Sequence, residues 1–198
     1  MTKRPSAATE RAAPAGRGSG RRTLLLIAAV TLAPVVASYT TYYLFPREPS
    51  ANYGMLLPTA PAPAIEGTRS DGAAFRLADL RGRWVLLATG AGDCDAPCER
   101  RLYATRQAHT MQGKEQDRVV RAWLVGGDAT PSPALLAQHP GLVVVRVARA
   151  DLGQLPAGAG TLYLVDPLGN LVLRYPDDPD IKGIAKDLTR LLKASRIG

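Results

Sequence analysis

The apolar positions fall into two regimes. From Leu24 to Phe45 there is no charged residue, and Leu, Ile, Val, Ala and Tyr dominate. A bilayer-spanning helix needs about 20 such residues. Further on, short apolar runs alternate with polar or amphipathic stretches. Trp84–Thr89, Val119–Val125, Leu142–Val147, Thr161–Val165 and Leu171–Tyr175 have the length and β-branched or aromatic content of strands. Two shorter extended pieces, Ile65–Thr68 and Ala74–Leu77, flank the turn Arg69-Ser70-Asp71-Gly72 and predict a hairpin. Leu77–Gly82 reads as a turn of helix with a glycine stop. The spacing predicts a helix over Ala96–Gln112, with Pro97 in its first turn and Gly113 just past its end. A short helix over Ser132–Gln138 has Ser132 as cap and Pro133 at its first position. The closing helix, Ile181–Ala194, puts Ile181, Ile184, Leu188, Leu191 and Leu192 on one face.

Strands that alternate with helices and end in an antiparallel pair predict an α/β fold. The expected form is a thioredoxin-like sandwich with a mixed sheet, preceded by one N-terminal transmembrane helix. Four segments follow: residues 1–22 a cytoplasmic disordered tail, 23–45 the transmembrane helix, 46–63 a Pro/Ala-rich linker, and 64–198 the thioredoxin-like domain. The composition is that of a folded protein, with no internal repeat.

Charge changes the picture once it is located. The 198 residues carry a net charge of +8. Residues 1–22 hold Lys3, Arg4, Arg11, Arg17, Arg21 and Arg22 against Glu10 alone. The remainder shows no basic cluster interleaved with aromatics, which argues against nucleic-acid binding. A basic tail before an apolar span places the N-terminus inside by the positive-inside rule, and Tyr39, Tyr42 and Tyr43 suit the far interface. The expectation is an inner-membrane, single-pass protein with a periplasmic domain. A cleaved signal is the alternative: Arg21-Arg22 matches a twin-arginine signal in part, and Val35-Val36-Ala37 would serve as its cleavage site. Either way the compartment permits disulfides.

The candidate chemistry is Cys94 and Cys98, the only cysteines. They follow a buried strand and the glycine-broken turn Gly90-Ala91-Gly92, at the start of a predicted helix. A helix N-terminus favours thiolate, whereas Asp93 and Asp95 oppose it. Residues four apart on a helix share a face, so the pair can close a disulfide or offer two soft sulfurs to Cu(I). The histidines offer no third ligand. His109 lies eleven residues beyond Cys98 on the predicted helix, about 16 Å along its axis, and His139 precedes Pro140 in a loop. There is no HExxH, GxGxxG or second cysteine pair. Ala91 stands where a peroxiredoxin needs threonine.

These residues resemble the Sco family. The resemblance rests on the anchor, the proline-rich linker, Gly82-Arg83-Trp84-Val85-Leu86-Leu87, the CxxxC pair, and Tyr163-Leu164-Val165-Asp166-Pro167-Leu168-Gly169-Asn170-Leu171-Val172. It implies a thioredoxin-like copper chaperone or thiol oxidoreductase that helps assemble the copper centre of cytochrome c oxidase, with Cys94 and Cys98 as redox thiols or copper ligands. The chain departs from the family in three places. Asp95 and Glu99 replace the prolines after each cysteine, glycine and alanine replace aromatics before them, and Arg149–Thr161 lacks the copper-ligating histidine. The resulting expectation is a dithiol reductant or weak copper carrier for a respiratory oxidase. A general periplasmic thiol-disulfide oxidoreductase and a non-catalytic interaction module with a structural disulfide are the alternatives.

Overall fold

The structure, a computed structural model, describes residues 19–44 and 52–195. The predicted tail up to residue 18 and the predicted linker up to residue 51 lie outside the described residues. The chain divides into two compact units, one ending at Pro49 and one beginning at Ser50.

The first unit contains helix α1, Ser19–Leu44. Its stretch Gly20–Thr41 is long and apolar enough to cross a membrane. The Thr31 and Thr41 hydroxyls donate to Ile27 and Ala37 carbonyls inside the helix, as a lipid environment requires of polar groups. Tyr39 and Tyr43 stack one turn apart.

The second unit is a mixed α/β sandwich. In chain order it contains β1 Met55–Pro61, β2 Glu66–Arg69, β3 Ala74–Arg76, β4 Trp84–Ala91, α2 Ala96–Thr110, β5 Val119–Gly126, α3 Pro133–Ala137, β6 Leu142–Val147, α4 Arg149–Leu152, β7 Leu162–Val165, β8 Asn170–Tyr175 and α5 Ile181–Ala194. Eight strands form one sheet in the order β1-β8-β7-β4-β5-β6-β2-β3. Strand β4 runs parallel to β5 and antiparallel to β7, and β5 runs parallel to β6.

Alternation along the central strands sorts side chains to two cores. Trp84, Leu86 and Ala88 of β4 join Trp123 and Val125 of β5 against Leu102 of α2 and Ile184 and Leu188 of α5. Val85 and Leu87 face the other way, with Ala122, Leu124, Tyr163, Ile65 and Phe75. Both faces being covered, β4 reads as a continuous apolar run.

Strand β1 falls inside the segment read as linker. Pro58 and Pro61 argue for linker in the sequence, but β1 is an edge strand with a register irregularity between Leu56 and Ala60, where proline is tolerated. Its entry is fixed by α5. The fully buried Asp187 carboxylate accepts the Tyr53 and Gly54 backbone N–H groups, each at 2.9 Å. The Tyr53 hydroxyl accepts the Asp180 N–H at 2.8 Å. The Tyr53 ring lies across Gly183, where a Cβ would come within 2.4 Å of it. Asp187→Ala orphans one buried and one part-buried donor, so it is expected to cost about 2–4 kcal/mol in urea unfolding, with β1 amides exchanging first. A loss below about 0.5 kcal/mol would show that this anchor is not structural.

Candidate redox site at the start of helix α2

Strand β4 carries the chain to the site and must leave it without a side chain. Gly92 is buried, and a Cβ there would lie 2.0 Å from the Ala129 carbonyl oxygen. Glycine at 92 therefore lets the cysteine loop pack on the segment after β5. Gly90 opens the floor: a Cβ there would sit 3.5 Å from Trp123 Nε1 and 3.9 Å from Cys98 Sγ. That indole N–H is buried without a hydrogen-bond partner.

Cys94 and Cys98 form a disulfide, with Cα atoms 5.2 Å apart. Only Cys98 lies on the helix, which starts at Ala96 as predicted. Asp95 is the N-cap of α2, with extended backbone, and its side chain accepts the Cys98 backbone N–H at 3.0 Å. Cys94 therefore sits in the loop before the cap and Cys98 in the first turn, behind Pro97. Cys98 is 5% exposed and Cys94 is half-buried, so Cys94 is the sulfur an incoming group meets first.

A second wall comes from the loop before β7. The buried Thr89 hydroxyl lies 3.1 Å from the Gly158 and Thr161 carbonyls and accepts the Thr161 N–H at 3.1 Å. Backbone bonds from Thr89 N–H to Thr161 O and from Gly160 N–H to Thr89 O, both 3.0 Å, complete the clamp. Gly160 holds the turn at φ +80°. The sequence reading treats Thr89 only as the end of a strand; nothing in its neighbours marks the clamp. Arg101, one turn beyond Cys98, carries no such mark in its neighbours either. It is 6% exposed and its guanidinium reaches Gly160. Burial pulls its pKa down, and the charges of Asp95 and Asp177 pull it up.

The histidines lie elsewhere. His109 Nε2 is 3.1 and 3.0 Å from the Gln116 and Val119 carbonyl oxygens. His139 is buried between α3 and β6. Burial holds both pKa values down, helped by Arg121 at His109 and by Arg106 and Arg121 at His139. Among the described residues no three His, Cys, Asp or Glu side chains gather as a metal site.

A family model described as transmembrane-like, thioredoxin-like, C-terminal domain matches residues 84–195. The chain belongs to this family. No curated protein matches it. Solved structures share the fold of this thioredoxin-like family member. Apo Sco1 from Thermus thermophilus is 21% identical, with 73% of this chain and 99% of that chain covered, and a TM-score of 0.60. Copper-bound yeast Sco1 is 18% identical, with 70% and 96% covered and a TM-score of 0.59. The thioredoxin domain of a thiol-disulfide oxidoreductase from Bacteroides vulgatus is 18% identical, with 69% and 99% covered and a TM-score of 0.52. The thioredoxin-like architecture expected from strands alternating with helices is therefore present.

Thr89→Val removes the hydroxyl and orphans the Thr161 N–H. It is expected to cost about 1–3 kcal/mol and to speed amide exchange at Gly160 and Thr161. Unchanged exchange there would contradict the clamp.

Proposed function

We propose that this protein is a membrane-anchored, extracytoplasmic dithiol-disulfide protein that acts as a reductant in the assembly of a copper-containing respiratory oxidase. The observation that carries this reading is the pairing of a half-buried Cys94 with a buried Cys98 across the cap of α2. This asymmetry gives one sulfur access and keeps the other shielded as the resolving partner. Anchoring through α1 in the inner membrane, with the N-terminus inside and the domain periplasmic, is supported by the basic residues of 1–22 and the apolar span after them.

The fold neighbours include Sco1 proteins solved with copper bound, which supports copper as a cargo. In the reduced state Cys94 and Cys98 supply two soft sulfurs, a donor set that selects Cu(I). With Arg149–Thr161 free of histidine, two sulfurs alone make a weak carrier. A general thiol-disulfide oxidoreductase would use the same pair on unrelated substrates; a structural disulfide would not exchange at all.

The test equilibrates the full-length protein in detergent with glutathione redox buffers, and then sets the reduced form against a Cu(I) chelator. The expected results are a measurable potential, within roughly −180 to −300 mV, and weak Cu(I) retention that both Cys94→Ser and Cys98→Ser abolish. A disulfide that never equilibrates, together with no Cu(I) retention, would leave the pair structural and overturn the proposal.

A further inference from the structure

A groove runs beside the disulfide, between the start of α2 and the loop held by Thr89. Arg101, Arg174, Gly160 and Thr161 line it, with Asp95 and Asp177 at its edges. Arg101 is more than nine-tenths buried, yet among the described residues no carboxylate pairs with it and no hydrogen bond reaches it. Its Nη2 lies 3.9 Å from the position a Cβ on Gly160 would take. Asp95 Oδ1 accepts the Cys98 N–H and Asp177 is exposed, and both carboxylates act on Arg101 only from beyond ion-pair distance. A largely buried side chain whose nearest anions stand beyond ion-pair distance gains from a direct ionic partner, and its planar guanidinium fork matches a carboxylate.

We infer that this groove receives a carboxylate of the exchange partner, so that the protein selects partners with an acidic group close to their reacting sulfur. The inference rests on the dithiol reading above and names what that site recognises. Arg101 and Arg174 hold the carboxylate while the sulfurs react. In the reducing direction the Cys94 thiolate attacks one sulfur of the partner disulfide. The partner's S–S bond breaks and one partner thiolate leaves. The Cys98 thiolate then attacks Cys94 Sγ, the mixed S–S bond breaks, and the second partner thiolate leaves. Two electrons pass to the partner and the Cys94–Cys98 bond re-forms. The Arg101 cation takes no covalent part; it is a positioning residue.

The test uses the reduced full-length protein in detergent at low ionic strength. Three small disulfides of similar size serve as probes: anionic dithiodipropionate, neutral hydroxyethyl disulfide and cationic cystamine. Dithiodipropionate is expected to react about tenfold faster than the neutral disulfide, with cystamine slowest. Arg101→Gln is expected to bring the anionic-to-neutral ratio close to one, and Arg101→Lys to keep most of it. Asp177→Asn, which removes a repelling charge at the rim, is expected to raise the ratio. Should Arg101→Gln fail to fold, Arg174→Gln, on the groove's other side, is expected to lower the ratio. Equal rates for all three disulfides, or an unchanged ratio in folded Arg101→Gln, would overturn the inference and leave the dithiol reading intact. No reaction with any of the three would overturn both.

Discussion

Burial of β4 on both faces is the constraint on which the rest depends. The strand is bonded to β5 on one edge and β7 on the other, and its side chains enter two separate cores. A strand so enclosed cannot shift register without moving every apolar side chain to the wrong face. Its end is therefore a fixed point. Gly92, pressed on the Ala129 carbonyl, turns the chain out of the sheet at that point, and Asp95 starts α2 three residues later.

From this follows the difference between the two sulfurs. Cys94 precedes the cap and Cys98 follows it, so one stays half-buried while the other packs into the core under α2. Asp95 does two things at once. Its carboxylate satisfies the Cys98 N–H, and its charge also bears on Arg101 from beyond ion-pair distance. Thr89, on the strand that delivers the cysteines, also ties down the loop that closes the groove's far side. Strand, cap and clamp thus position sulfur, cation and loop from one rigid element. That is the physical basis for reading the pair as an exchange site and not only as a brace.

Much of this was legible in the sequence, for reasons that can be named. The β-branched runs of β5 and β6, Pro97 and Ser132 at helix starts, and the apolar face of α5 are local signals that tertiary context did not override. The cysteine site was legible too, since two cysteines after a strand and a glycine turn need no distant partner to be noticed. What stayed hidden depends on contacts across the chain. Strand β1 hides behind Pro58 and Pro61, and only Asp187, more than a hundred residues away, reveals where it enters. Thr89 looks like one more strand residue until Thr161 is placed against it. Arg101 looks like a solvated charge, because the helix is polar and nothing near it in the chain shows that it is buried beside the loop at Gly160.

The central claim is that Cys94 is the sulfur that meets the partner and Cys98 the one that resolves. The most direct measurement isolates the full-length protein from its own membrane under acid quench, carrying either Cys98→Ser or Cys94→Ser, and identifies what is bound to the remaining cysteine by mass spectrometry. The account predicts a mixed disulfide on Cys94 in the Cys98→Ser protein and a free Cys98 thiol in the Cys94→Ser protein. Adducts on both cysteines alike, or on neither, would contradict it.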